Sequence, residues 1–211
     1  MTQLILASAS PRRAQLLRNA GIPFVVQPAE IDESRRPGEA PTAYAERLAT
    51  EKARGVFAKN PQALVLGADT IVTVDEEVLG KPRDAADATR MLRLLSGRQH
   101  LVTTAVCLMG RRQVSSFEFR IPSVKSETGN LKPETFFEDI RHETTQVFFR
   151  PITEQDIGWY VATGEPMDKA GAYGIQGRAS RWIERIVGCY FNVVGLPVPL
   201  VCEMLKERGL L

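Results

Sequence analysis

The chain has 211 residues and a mass of 23.4 kDa, enough for about one domain, with the 44% apolar and 25% charged residues of an ordinary globular protein. Lys plus Arg number 27 against 25 Asp plus Glu, and this net charge of +2 argues against a nucleic-acid coat or a polybasic membrane anchor. Cys107, Cys189 and Cys202 are far apart and odd in number, which predicts reduced, buried thiols in a cytosolic protein, neither a disulfide frame nor a zinc site. No run of 18 apolar residues and no leader-like start occur, so the expectation is a cytoplasmic chain that neither enters nor crosses a membrane.

The first elements follow from local pattern. Leu4-Ile5-Leu6-Ala7 predicts a strand, and Ser10 followed by Pro11 predicts the start of a helix that Gly21 ends. Phe24-Val25-Val26 predicts a second strand, and residues 42–58 a long helix. Residues 63–68 are continuously apolar, as in a strand buried on both faces, and are expected to end at Asp69-Thr70. A hairpin is predicted from Thr70 to Leu79 around Asp75-Glu76, then a helix from Asp84 to Leu95. Strands are predicted over residues 100–109 and 113–121, joined by a basic turn at Gly110-Arg111-Arg112.

Residues 122–145 read as a polar surface insertion with a short helix near Phe136 and Phe137. Its Glu138, Asp139, His142 and Glu143 are expected to face solvent rather than hold a metal. The pattern resumes with a strand at 146–149, a helix opened by Thr153 and Glu154, a glycine-dense segment from Gly164 to Gly177, strand material at 182–187 and a closing helix at 197–208. Strands alternating with helices predict an α/β fold with a mixed sheet in a single domain.

Three places could carry chemistry. Ser8-Ala9-Ser10-Pro11-Arg12-Arg13 puts two arginines on a helix N-terminus, where they oppose the helix dipole at about 0.3 to 1 kcal/mol each. A bound anion would reverse that penalty; a solvated basic turn is the plain alternative. Asp69 lies past a buried strand, and parallel pairing with the first strand would bring Ser8 to the same rim. The hairpin returns Lys81 toward Asp69, as part of a phosphate and metal site or as a simple ion pair. Tyr44, Leu48, Lys52 and Val56 recur every four residues, so Lys52 lies on the apolar stripe of its helix, either snorkelling or aimed at an anion. Glu30, Asp32 and Glu33 could add a second carboxylate, since magnesium takes one or two with water and phosphate. In the glycine-dense segment, Gln176 can donate and accept at the edge of a uracil or thymine base, provided its neighbours fix its orientation. His100 forms no recognisable triad with serine or cysteine.

Residues 8–13, Gly67-Ala68-Asp69-Thr70, Gly80-Lys81-Pro82, Gly164 through Gly177 and Asn192-Val193-Val194-Gly195-Leu196-Pro197 occur in one order. Together they resemble the Maf family of nucleoside triphosphate pyrophosphatases over residues 3–121 and 146–208. The resemblance implies a mixed, elongated and twisted α/β sheet whose flanking helices form two lobes around a central cleft. It implies cleavage of a nucleotide between the α and β phosphates, with a divalent cation (magnesium, manganese or cobalt) and Asp69 as catalytic carboxylate and metal ligand beside Glu33. Ser8, Arg13, Lys52 and Lys81 match positions around phosphate. Arg12, Thr70 and Gln176 match the branch acting on dTTP and UTP. The branch acting on 7-methyl-GTP has tryptophan and glutamate in place of Arg12 and Gln176. Another base preference and a nucleotide-binding regulator of cell division are the rival readings. A homodimer is possible, and the length of 122–145 leaves it open. Arg178-Ala179-Ser180-Arg181 departs from the small apolar residues expected after Gly177 and puts the wall of the base pocket in question.

Overall fold

A computed structural model describes residues 3–111 and 136–211. In chain order the elements are β1 (Leu4–Leu6), α1 (Pro11–Asn19), β2 (Val25–Val26), α2 (Pro41–Phe57), β3 (Leu64–Val74), β4 (Glu77–Leu79), α3 (Ala85–Leu95), β5 (Gln99–Arg111), β6 (Phe136–Phe149), α4 (Glu154–Ala162), β7 (Ile183–Val187), α5 (Tyr190–Val194) and α6 (Val198–Lys206). The strands form one mixed sheet in the order β2-β1-β3-β5-β6-β7, with β4 also on β3. Strands β2, β1 and β3 run parallel, whereas β3, β5, β6 and β7 are antiparallel. The predicted mixed α/β class is the one observed.

Alternation along β1 and β3 assigns their two faces. Ile5, Ala7 and Val65 pack under Ala45, Ala49 and Ala53 of α2. Leu4, Leu6, Leu64 and Leu66 face α1 and α6 through Leu17, Val201 and Met204. Further along the same face, Val72, Val74 and Val102 meet α3 and α4 through Leu92, Leu95 and Tyr160. The long strands run through both groups of helices, which form two lobes. Gly67 lets α2 come close, because a Cβ there would lie 2.1 Å from the Ala49 carbonyl oxygen.

Several boundaries differ from the expectations. β3 does not end at Asp69 but continues to Val74, because Asp69 to Thr73 all pair with β5. The hairpin turn falls at Asp75-Glu76 as expected, with both residues in the left-handed region (φ 45° and 69°) of a two-residue turn. Gly110 and Arg111 are strand rather than turn. Phe136 and Phe137 open a 14-residue strand instead of a short helix, and its residues 136–145 belong to the sheet, not to an insertion. Glu138 bonds Arg54 of α2 at 2.7 and 2.8 Å, His142 bonds Glu46 at 2.8 Å, and Asp139 bonds Arg141 and Arg208. Glu138 and Asp139 are therefore held in ion pairs rather than free in solvent, whereas His142 is exposed as expected. The expected strand at 113–121 and residues 122–135 of the expected insertion lie outside the described residues. Among the described residues, no helix is long and apolar enough to cross a membrane.

Candidate active site

The cleft opens where the sheet changes character. β3 pairs with β1 over Leu64–Leu66 and with β4 over Val72–Val74, so Asp69, Thr70 and Ile71 have β5 on one side and a gap on the other. This gap replaces the strand end that the sequence suggested. The end of β1 still brings Ser8 beside it, as parallel pairing requires. The resulting cavity, about 540 Å³, has the size of a small-ligand site. Five cationic side chains (Arg12, Arg13, Lys52, Lys81 and Lys169) and three carboxylates (Glu33, Asp69 and Asp168) line it, a balance suited to a polyanion.

Asp69 and Thr70 are consecutive in a strand and point to opposite faces. On the α2 side, the Lys52 ammonium donates to Asp69 Oδ1 at 2.6 Å and lies 2.7 Å from Glu33 Oε1. Lys52 thus points inward, and it rather than Lys81 is the cationic partner of Asp69. Tyr44 on the same stripe donates to the Glu33 carbonyl at 2.6 Å and holds that segment over the cleft. Burial raises the Glu33 pKa, but the Lys52 bond and the charges of Lys52, Lys81 and Arg13 outweigh it and hold the group below the usual range. Lys81 is exposed on the cleft rim. Glu30 and Asp32 do not line the cleft.

On the other face, Arg13 is buried and draws four segments together. Its Nε donates to the Gly195 carbonyl at 2.8 Å. One terminal nitrogen donates to Ser8 Oγ at 2.9 Å and the Ala68 carbonyl at 2.8 Å, and the other to Thr70 Oγ1 at 2.9 Å. Four of its five N–H groups are engaged in this way, so Arg13 serves mainly as a clamp within the cleft wall. Burial lowers its pKa, and the nearby Asp69 charge opposes that shift. Ser8 Oγ accepts from Arg13 and from the Ser10 N–H at 3.3 Å, and both bonds leave its own hydrogen for a ligand. No side-chain bond caps α1 and no acidic residue sits in its first turn, which leaves that helix end suited to an anion.

Thr70 Oγ1 also bonds Thr104 Oγ1 at 2.9 Å. Behind it Asn192, fully buried, accepts from the Thr104 N–H and donates to the Val102 carbonyl and Thr145 Oγ1. No local spacing signals this support, because Asn192 lies 88 and 90 positions from Thr104 and Val102. Arg12 reaches across the cleft to Asp168 Oδ2 at 2.8 Å. Gln176 is exposed at the tip of a turn closed by the Gly177 N–H on the Gly174 carbonyl, and it lines the same cleft. Arg178 to Arg181 lie outside the lining, and Arg181 stacks 4.4 Å over Trp159. Asp168 and Lys169 are site residues beyond those that the sequence predicts. Their spacing from Arg12 carries no local signal.

A mixed sheet interrupted over a cleft lined by five cationic and three acidic side chains defines an α/β protein with a site suited to a polyanion. The description "Maf-like protein" belongs to a family model that matches residues 3–208, and the chain belongs to this family. It is 51% identical over 208 residues to a protein of Koribacter versatilis (strain Ellin345) named dTTP/UTP pyrophosphatase, covering 99% of this chain and 95% of that one. Proteins of the same name from Symbiobacterium thermophilum (50% identical, 99% and 95% covered) and Syntrophomonas wolfei (47%, 97% and 96%) are also similar.

Proposed function

We propose that the protein hydrolyses dTTP and UTP, or modified forms of them, to the monophosphate and pyrophosphate in the cytoplasm, as a single domain. The observation that carries this reading is the convergence of Asp69, Lys52 and Glu33 in a cleft that also contains Arg12, Thr70 and Gln176. The names of the similar proteins agree with it, and three unpaired cysteines suit a reducing compartment.

The donor set fits a divalent cation. Two carboxylates already meet on one positive charge, and magnesium-like ions take one or two carboxylates with water and substrate phosphate. Asp69 and Glu33 would hold magnesium, manganese or cobalt, which supplies charge neutralisation of the phosphates and a more acidic water. The chain's own groups do the remaining work. Ser8, the α1 N-terminus and Lys81 bind phosphate oxygens, while Arg13 keeps Ser8 and Thr70 in place. Lys52 orients Asp69 through its 2.6 Å bond to Oδ1. Asp69 orients the attacking water or takes its proton as oxygen attacks the α phosphorus. The bond from that phosphorus to the bridging oxygen breaks, and pyrophosphate leaves. Gln176 reads N3–H and O4 of the base, and Arg12 lines the same cleft.

The test is a screen of dTTP, UTP, CTP, ATP, GTP and 7-methyl-GTP with each of the three metals, assayed for both products. Pyrophosphate and monophosphate from dTTP and UTP ahead of the others is the expected result. Release of orthophosphate and a nucleoside diphosphate, or equal turnover of all six, would overturn the proposal.

A further inference from the structure

We propose that Glu165 and Asp168, the two ends of one short turn, are positioning residues that set base selectivity by holding Arg12 and the Gln176 turn in register. This rests on the dTTP/UTP reading above and deepens it. A glutamine reads a base edge only if its amide is held in one orientation, and an arginine discriminates only if it stays at the base end of the cleft. Neither condition is met by Arg12 or Gln176 alone, since Gln176 is exposed and Arg12 is a long side chain that remains 31% exposed.

The turn Glu165–Asp168 supplies both constraints. At one end, Asp168 Oδ2 accepts from Arg12 at 2.8 Å, and its other oxygen accepts from Lys169 at 2.5 Å. Lys169 is itself anchored on the Glu165 carbonyl at 2.6 Å. At the other end, Glu165 Oε1 accepts from the Arg178 N–H at 2.9 Å and from the hydroxyl of fully buried Tyr160 at 3.1 Å. The carboxylate packs against Gly177, where a Cβ would lie 1.9 Å from Glu165 Oε1. Glu165 therefore fastens the chain immediately after Gln176 to the α4 core.

Freed from Asp168, Arg12 would be drawn to the triphosphate, the nearest strong anion and one common to every substrate. Binding would then depend less on the base. Loss of Glu165 would release the Gln176 turn with the same consequence. The contribution of one oriented hydrogen bond corresponds to about five- to tenfold in selectivity.

The experiment compares kcat and KM for dTTP, UTP and CTP in the wild type, Asp168→Ala, Glu165→Ala, Glu165→Gln, Arg12→Ala and the Arg12→Ala/Asp168→Ala double variant. In Asp168→Ala the dTTP-over-CTP ratio of kcat/KM is expected to fall about five- to tenfold, chiefly through KM. The double variant should lose no more selectivity than Arg12→Ala alone, because Asp168 acts through Arg12. Glu165→Gln, whose amide oxygen can still accept both bonds, should retain selectivity that Glu165→Ala loses. An unchanged ratio in folded Asp168→Ala, an equal loss on all three substrates, or additive effects in the double variant would overturn the inference while leaving the dTTP/UTP reading intact. A wild type that does not distinguish dTTP from CTP would overturn both. If Glu165→Ala fails to fold, the Asp168 series decides the outcome.

Discussion

At the scale of single residues, two buried cationic groups have different jobs. Lys52 meets Asp69 and Glu33 on the side where the reaction is proposed, whereas Arg13 spends most of its donors on the protein. Asp69→Asn keeps the shape and loses the charge, so we expect an unchanged fold and kcat lowered by about a hundredfold or more. Circular dichroism with steady-state kinetics checks this, and near-normal turnover in a folded variant would defeat the catalytic assignment. Arg13→Ala should instead be felt as instability. It strips donors from two carbonyls and two hydroxyls in a dry setting, at a cost of about 3 kcal/mol in urea unfolding. Arg13→Lys should not restore that loss, because an ammonium is a single point and cannot span four separated acceptors.

At the scale of elements, the site depends on how closely α2 lies on β3. Lys52 sits between Ala49 and Ala53, the residues that close over Gly67, and this contact brings it to Asp69 two positions along the strand. Gly67→Ala would place a methyl group 2.1 Å from the Ala49 carbonyl and 2.9 Å from the Ala53 nitrogen. The helix must then lift or tilt. We expect a loss of at least about 2 kcal/mol of stability together with a fall in kcat, since Lys52 moves with its helix. Denaturant titration and kinetics on the same preparation test this. Full stability with normal turnover would show that the close approach does not matter. The elements themselves were largely legible, because each rests on a local signal: Pro11 at the first position of α1, Asp84 accepting from the Asp87 N–H at the start of α3, and Thr153 accepting from the Asp156 N–H at the start of α4. Expectation and structure differ where polar residues continue a strand. Asp69-Thr70 and residues 136–145 break the apolar pattern, yet backbone pairing with β5 carries both strands onward.

At the scale of the whole molecule, His100 links the second lobe's core to acid stability. It is 2% exposed, its Nε2 lies 2.7 Å from the Tyr173 hydroxyl, and it meets Phe149 and Tyr173 edge-on. Burial lowers its pKa from 6.5 to about 4, so the folded protein keeps the ring neutral where the unfolded chain takes up a proton. A depressed folded-state pKa gives stability that is complete above pH 6.5 and is lost as pH falls toward 4, here by about 3 kcal/mol. His100→Gln can still bond Tyr173 but does not titrate, so its unfolding free energy should change less over this window than that of the wild type. Urea titrations at several pH values between these limits measure it, and parallel curves for the two proteins would remove His100 as the cause.

What the sequence by itself determined was the set of elements and the types of residue available to the site. Helix starts, the Lys52 stripe and the parallel setting of Ser8 beside Asp69 depend on residues a few positions apart or on the rule that buried strands pair. The tertiary structure alone decided who meets whom. Lys52 takes Asp69 from 17 positions away, Arg12 takes Asp168 from 156, and Arg13 takes Gly195 from 182. No local pattern encodes such pairs, because packing of helices on a sheet converts side-chain direction into contact only after the whole core has closed. The gap in the sheet has the same origin. Whether β3 ends at Asp69 or runs past it depends on the partner strand, and β5 lies 30 residues further along the chain.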